Sequence, residues 1–354
     1  MKNAVGRAVA HRLFWPLVML VVLLAINVVA VPGFLSITVN NEGHLFGSVI
    51  DILRNGAPTL MIAVGMTLVI ATRGIDLSVG SLCAIAGAMA CSIILGSPTP
   101  NDVGTVAVAV LVALALALVL GLWNGFLVSV LGIQPIIATL ILMTAGRGIA
   151  MLITEGQILT VQSDPFKFLG SGFIVGIPVA TIVAAVILAL VALLTRRTAL
   201  GLLIESVGIN PEASRQAGVR ARGLLFTVYA VSAVLAAIAG LILTSNQTAA
   251  DANNTGLFIE LDAILAVVIG GTSLNGGRYS LTGTLVGALV IQTLVTTVYT
   301  VGIPPIATMV FKAAVVTAVC LLQSPTTAAA FARWRTRSAS RAASPRPGEA
   351  VVSR

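Results

Sequence analysis

Five polar residues lie in or beside apolar stretches of the chain, where a charge or an amide must be paired or hydrated. They are Asp76, Ser78, Asn124, Gln134 and Arg147. Amide groups donate and accept hydrogen bonds, which suits sugar hydroxyls and suits hydrogen bonds between helices equally well. Asp76 either caps a helix predicted to begin at Leu77, pairs with Arg73 or contacts a solute. These five residues are candidates for lining a pathway through the apolar region.

The sequence has none of the patterns that mark a catalytic centre. It contains no GxSxG, no HExxH and no histidine close to both a serine and an acid. Residues 271–278, GTSLNGGR, differ from a phosphate-binding P-loop because the Lys-Ser/Thr pair is missing. The three cysteines are isolated and the two histidines are far apart. We therefore predict that the chain is not an enzyme and holds no cofactor or metal of its own.

Composition predicts that the elements carrying these residues lie in a lipid bilayer. Hydrophobic residues make up 58% of the 354 residues and charged residues only 9%, which is too little polar surface to cover a soluble globule. The apolar runs are long and lack the alternation of a β-barrel. The predicted fold class is therefore all-α, a polytopic membrane protein.

Ten apolar stretches are predicted to be transmembrane helices: 13–31, 58–72, 77–95, 104–130, 135–153, 173–194, 223–245, 261–273, 281–301 and 305–322. Two of them, 58–72 and 261–273, are short and end in Gly-rich polar turns, which indicates helices broken at membrane depth. The GxxxG pairs Gly121/Gly125 and Gly283/Gly287 predict closely packed helices. Residues 1–323 form the predicted transmembrane domain. Residues 324–354, rich in Ala, Arg, Ser and Pro, form a predicted disordered, basic tail.

The basic residues indicate how these helices are oriented. The net charge is +8, and most arginines precede the first apolar run, lie near residues 205–223 or follow the last run. This segregation fits the positive-inside pattern, and it argues against nucleic-acid binding. An even number of spans places both termini in the cytoplasm. The polar segment follows the sixth span and is predicted to lie there too.

The polar segment 205–223, ESVGINPEASRQAGVRARG, predicts a short helix at the membrane surface. Asn210 is a typical side-chain cap, Pro211 suits the first helical turn, and Glu212 lies near the positive end of the helix dipole. Gly218 predicts the end of a helix of only two turns. A short, capped helix at the cytoplasmic surface predicts a docking element for another protein.

Three polar residues lie near the outer edge of the stretch 261–273: Asn253 within the run ADANNTG, and Glu260 and Asp262 behind it. Either they receive an external binding protein, or they keep the loop hydrated.

Four runs in the same order make the chain resemble the permeases of ribose-type sugar ABC importers. They are GMTLVIATRGIDLSVGS, WNGFLVSVLGIQPIIATLILMTAGRG, ESVGINPEASRQAGV and ELDAILAVVIGGTSLNGGR, and the likeness extends over residues 45–322. Within that family, LFGSVIDILRNGAP and ADANNTGLFIELDAI look most similar to galactofuranose permeases. The family usually has a small residue or glycine before GIDLS, whereas this chain has Arg73.

The resemblance implies a set of partners and a location in the bacterial inner (cytoplasmic) membrane. The partners are two ATPase subunits that carry ATP-Mg, a periplasmic sugar-binding protein, membrane lipid, and a second permease, either identical or paralogous. It also implies that residues 205–219 form the coupling helix region that docks on the ATPase. The coupling positions carried over are Glu205, Gly208, Asn210, Pro211, Ala213 and Gly218.

The predicted function is that of a permease subunit which moves a monosaccharide into the cytoplasm by alternating access, driven by separate ATPase subunits. An ion-coupled secondary sugar transporter is the alternative, and it would need buried acids, for which Asp76 is the one good candidate within a span. A membrane-embedded glycosyltransferase would need a polar loop with clustered acids, which the sequence lacks.

Overall fold

The computed structural model describes residues 13–40, 42–302, 304, 307, 309–314 and 317. The chain divides into one unit of residues 1–305 and a second that begins at Ile306. The elements below all belong to the first unit. Most of the predicted span 305–322 and the whole predicted tail 324–354 lie outside the described residues.

The first unit contains twelve helices and three two-stranded antiparallel sheets within its described residues. The helices are α1 Phe14–Ala30, α2 Ser48–Ala71, α3 Val79–Gly96, α4 Val103–Ser129, α5 Pro135–Ile153, α6 Asp164–Ser171, α7 Val179–Arg197, α8 Ala199–Ile209, α9 Pro211–Gln216, α10 Ala221–Gln247, α11 Ile259–Ile269 and α12 Leu281–Thr300. The strands are β1 Thr38–Val39, β2 Leu45–Phe46, β3 Leu159–Thr160, β4 Phe173–Ile174, β5 Ile177–Pro178 and β6 Ala249–Ala250. They pair as β1 with β2, β3 with β6, and β4 with β5.

The all-α class is confirmed, but ten membrane helices are not. Seven helices among the described residues are long and apolar enough to cross a membrane: α2, α3, α4, α5, α7, α10 and α12. The stretch 173–194 begins with the β4–β5 hairpin, so its helix starts only at Val179. α1 is apolar but shorter, with 17 residues.

The two stretches predicted to be short behave differently. Residues 58–71 belong to α2, which has 24 residues and carries Pro58 in its interior, so the prediction of a short helix there is wrong. Asp51 and Arg54 make the first turns of α2 polar, so hydropathy alone does not include these turns in a membrane helix. Pro58 does not end the helix, because a proline is tolerated inside a membrane helix when neighbouring groups satisfy the backbone. α11 has only 11 residues, which confirms the second short helix.

Small residues let the central helices approach closely. The most apolar part of α2 is 78% buried by other helices, whereas that of α4 is 22% buried. Side-chain atoms added at Gly121 and Gly125 would meet α10, and at Gly283 and Gly287 they would meet the end of α11, which confirms the predicted close packing. α2, α3, α10 and α12 therefore form the core, and α4 lies at the periphery.

The bundle has two distinct ends. At the hairpin end, β1–β2 contacts β4–β5 through a hydrogen bond from the Leu45 amide to the Gly176 carbonyl, and His44 stacks on Phe173. At the other end, which we call the coupling end, the turn 72–78, the segment 198–220 and the loop 270–280 meet. Asp76, Ser78 and the candidate coupling positions lie at the coupling end or in the interior next to it.

Candidate functional site

Asn210 organises the short helix at the coupling end. It is the last residue before α9, and its Oδ1 accepts hydrogen bonds from the amides of Glu212 at 3.1 Å and Ala213 at 3.0 Å. Pro211 occupies the first helical turn. Gly218 follows the helix with a φ of 82°, the left-handed conformation that glycine adopts without strain. The predicted start and stop of this helix are both confirmed.

α9 projects from the bundle. Five of its six residues are exposed, and Ser214 is the buried exception. The Arg215 guanidinium pairs with the Glu212 carboxylate at 2.6 Å, but both side chains are exposed, so this pair contributes little stability. A helix of six residues cannot hold its shape by propagation alone, so its end groups and its attachment to α8 must position it.

The preceding helix, α8, was not predicted, because residues 205–209 were assigned to the polar segment. It places the coupling positions differently: Glu205 is half-buried and Gly208 is buried. A Cβ on Gly208 would overlap the carbonyl oxygen of Ala71 and crowd the amide of Gly277. Gly208 is therefore required for close packing against the end of α2, whereas Asn210, Pro211 and Ala213 lie on the exposed surface.

Arg73 contacts the end of α8 and does not contact Asp76. Its Nε donates to the Gly208 carbonyl at 2.6 Å and its Nη2 donates to the Ile209 carbonyl at 2.5 Å. The predicted alternative of an Arg73–Asp76 pair is wrong in this structure. Sequence spacing favoured that pair, but the end of α8 offers carbonyls without helical partners, and a guanidinium binds these well.

Asp76 instead forms the centre of a buried polar network. Its Oδ1 accepts from the Ser78 amide at 3.1 Å and the Ser78 hydroxyl at 2.6 Å, and its Oδ2 accepts from the Ser232 hydroxyl at 2.8 Å. Asn124 Nδ2 donates to the Ser78 hydroxyl at 2.9 Å. All four side chains are at most 1% exposed. The carboxylate binds Ser78 in the turn before α3 and joins that turn to α4 and α10, but it does not cap a helix at Leu77 as predicted, because α3 begins at Val79 and has no side-chain cap.

Two atoms beside this network lack partners within the described part of the chain. They are Asn124 Oδ1 and the Tyr229 hydroxyl. Tyr229 is one turn from Ser232 on α10, and its hydroxyl lies close to Gly74. A buried polar atom without a partner is costly, so these two atoms are available to water or to a polar solute.

The remaining pathway candidates lie apart from Asp76. Arg147 Nη1 donates to the carbonyls of Ala252 at 2.9 Å and Thr255 at 2.8 Å, which holds the non-helical segment before α11 against α5. Gln134 is exposed at the start of α5. The structure thus joins Asp76, Ser78 and Asn124, and separates Arg147 and Gln134 from them.

Sequence reasoning missed three members of this region: Thr139, Tyr229 and Ser232. The Thr139 hydroxyl accepts from the Leu77 amide at 3.1 Å and so ties α5 to the turn containing Asp76. Serine, threonine and tyrosine occur throughout the apolar stretches, and nothing in their spacing distinguishes these three. Only the packing of α5 and α10 against the turn identifies them.

The three candidates for contact with an external protein have different environments. Asn253 is exposed and Asp262 is partly exposed, whereas Glu260 is only 5% exposed and lies against Gly80. In this conformation the Asn253 side chain is therefore exposed, and Glu260 is covered. Among the described residues, no group of three or more His, Cys, Asp and Glu side chains lies close enough to hold a metal ion.

Removing the Ser232 hydroxyl is expected to destabilise the protein, because the buried Asp76 Oδ2 would lose its donor. A hydrogen bond to a charged group contributes about 1.5–3 kcal/mol, so Ser232→Ala should lower the melting temperature in detergent by roughly 3–6 °C. Thr144→Ala is the matched control, since that hydroxyl bonds only to carbonyls of its own helical turn. Equal melting temperatures for the two variants would show that the network does not stabilise the fold.

Comparison with known proteins identifies the family. A family model described as "Branched-chain amino acid transport system / permease component" matches residues 48–320. The chain is 48% identical to the galactofuranose transporter permease protein YtfT of Escherichia coli over 89% of this chain and 92% of the relative. It is 45% identical to the fructose import permease protein FruF of Bifidobacterium longum, over 91% and 90%. No solved structure matches.

Ribose permeases match as well, although less strongly. The ribose import permease protein RbsC of Haemophilus influenzae is 36% identical over 84% of this chain and 88% of the relative. All three relatives are named permease proteins, and this chain, as predicted, is a transport subunit and not an enzyme. Together with the matched family model, they show that the chain belongs to the permeases of ribose-type sugar ABC transporters.

Proposed function

We propose that the chain is the membrane-spanning subunit of an importer that moves a monosaccharide into the cytoplasm by alternating access, powered by separate ATPase subunits. The observation that carries this proposal is α9, a capped helix that projects from the bundle and is attached at its base to the end of a core helix. Such a helix offers a surface for a partner and a rigid connection to the membrane core.

The ATPase partner is proposed to dock on α9. The exposed coupling positions Asn210, Pro211 and Ala213 supply the surface, and Glu205 and Gly208 form its base. ATP-Mg is held by the partner, since this sequence has no P-loop. ATP can drive transport only if it binds the partner's two conformations with different affinity, and α9 would carry that difference into the bundle.

The sugar pathway is proposed to pass the network of Asp76, Ser78 and Asn124. Carboxylate, hydroxyl and amide groups can all exchange their mutual hydrogen bonds for bonds to sugar hydroxyls. In the present conformation these groups bond to one another, apart from Asn124 Oδ1, so passage of a sugar requires the turn 72–78 to move relative to α4 and α10. Arg147 is proposed to act at a distance from this point by holding the segment before α11.

The substrate class is proposed from the relatives. The named substrates of three similar permeases are galactofuranose, fructose and ribose, all of them monosaccharides. The identity to the galactofuranose permease is highest of these three, so galactofuranose is the first sugar to test.

The orientation and the other partners follow from the two ends of the bundle. Arg196, Arg215 and Arg220 lie at the coupling end, which we place in the cytoplasm together with both termini. The hairpin end then faces the periplasm of a bacterial inner membrane. Asn253, in the segment before α11, and Asp262, in the first turn of α11, are proposed to contact a sugar-binding protein from that side. The exposed apolar faces of α4 and α5 are proposed to contact lipid and a second permease subunit.

ATP-driven uptake tests this proposal directly. The permease, reconstituted in liposomes with its ATPase and binding protein, should accumulate labelled galactofuranose, fructose or ribose when ATP is supplied on the coupling side. Vanadate is expected to stop uptake, whereas an uncoupler at constant ATP should leave it unchanged. Uptake that survives vanadate and collapses with the uncoupler would instead establish an ion-coupled transporter.

A further inference from the structure

The end of α2 has the backbone geometry of a glycine position, yet Arg73 occupies it. The Arg73 amide bonds the Ile70 carbonyl at 2.9 Å and the Gly74 amide bonds the Val69 carbonyl at 3.0 Å, the two hydrogen bonds of a Schellman helix end. Arg73 has a φ of 65°, a left-handed conformation that strains residues with a side chain. Strain of this kind persists where the side chain makes a compensating contact.

The compensating contact is made with the base of α9. The last carbonyls of a helix have no helical partners and carry partial negative charge, and Arg73 donates to two of them, those of Gly208 and Ile209. Asn210, the next residue, caps α9. The guanidinium therefore holds the backbone immediately before the projecting helix.

The loop 270–280, between α11 and α12, also packs against Arg73 and the end of α2. The Gly277 amide donates to the Ala71 carbonyl at 2.8 Å. Gly276 lies so close to Arg73 that a Cβ there would overlap the Arg73 side chain. The stem of Arg73 thus lies between the end of α8 and the loop that joins α11 to α12, although the residue as a whole is exposed. The end of α2 and the loop between α11 and α12 consequently meet the base of α9 at one arginine.

We infer that Arg73 is a positioning residue that transmits movement of α9 to the turn containing Asp76. Arg73 and Asp76 lie three residues apart on this turn. Arg73 binds the end of α8, whereas Asp76 binds Ser78, just before α3, and Ser232 of α10. Displacement of the α8 end would pull the same short turn on which the buried network depends. This inference rests on the proposed docking of an ATPase on α9.

Arg73→Gly is the decisive variant, because glycine fits the left-handed backbone better than arginine and removes only the side-chain contacts. In the purified permease, hydrogen exchange of residues 205–219 should become at least about tenfold faster, because both charge-assisted hydrogen bonds of Arg73 are lost. The melting temperature should not fall. In the reconstituted complex, sugar-stimulated ATP hydrolysis should fall about tenfold, and Arg73→Lys should restore part of it.

Arg54→Ala is the matched control, since Arg54 also joins two helices through a hydrogen bond, to Asn246, but it does so away from the coupling end. This variant should change neither the hydrogen exchange of residues 205–219 nor the sugar-stimulated ATP hydrolysis of the complex. The inference would be overturned if hydrogen exchange of residues 205–219 were unchanged in Arg73→Gly. It would also be overturned if this exchange became faster while sugar-stimulated ATP hydrolysis stayed at the wild-type rate. A wild-type complex without sugar-stimulated hydrolysis would refute the proposed function, and the exchange measurement would then decide alone whether Arg73 holds this segment.

Discussion

Replacing Asn210 by Ala and Pro211 by Gly in the same chain is expected to abolish sugar-stimulated ATP hydrolysis by the reconstituted complex. The Asn210 side chain supplies two hydrogen bonds to the first turn of α9, and Pro211 restricts the backbone at the first helical position. Loss of a cap costs about 1 kcal/mol, which is a large fraction of what can hold a helix of six residues. Without that order, α9 cannot present a defined surface to the ATPase.

The effect should arise at the docking contact and not from misfolding. The variant is expected to insert into the membrane and melt near the wild-type temperature, but to recover less ATPase in co-purification. Asp102→Ala is the matched control, because Asp102 caps α4 with one hydrogen bond to the Thr105 amide and lies far from the coupling end. If the double variant retained full stimulation, α9 would not be the coupling helix.

Gly208→Ala is expected to have an effect of similar size for a different reason. An alanine inside α8 should favour the helix itself by up to about 1 kcal/mol. The added Cβ, however, would overlap the Ala71 carbonyl oxygen and crowd the Gly277 amide. Relieving that overlap must separate α8 from the end of α2, at a cost of about 1–3 kcal/mol. Stimulated ATP hydrolysis should therefore fall at least about tenfold.

Gly223→Ala separates this packing effect from the effect of adding any methyl group. Gly223 lies in the first turn of α10, and a Cβ there would have no neighbour within 4 Å. This control should retain stimulation and stability. Equal behaviour of the two alanine variants would mean that the close contact between α8 and α2 is not needed for coupling.

These experiments concern a region that sequence reasoning described only in part. The start of α9 was readable from Asn210 and Pro211, because capping is a local property of a few consecutive residues. The helix before it was not, because Glu205 and Ser206 make residues 205–209 resemble the polar segment that follows them and not the end of an apolar helix. Their helical state depends on packing against α2, and a local pattern does not contain that information.

The interior candidates show the same division. Asp76 and Asn124 stood out because a polar residue in an apolar stretch needs a partner, and the structure supplies one for each. Which partner each residue takes was decided by packing. Ser232, 156 residues from Asp76 in sequence, serves the carboxylate, while Arg73, three residues away, points to another helix.

The sequence by itself determined the class, the apolar helices and the short capped helix, because hydropathy and capping are read over a few to twenty consecutive residues. It also determined family membership, since the characteristic runs occur in order. Only the tertiary structure decided the extent of α2, the burial of Glu260 and the partners of Arg73 and Asp76. Those features depend on which helices meet, and contacts between segments distant in sequence leave no periodic signal in either one.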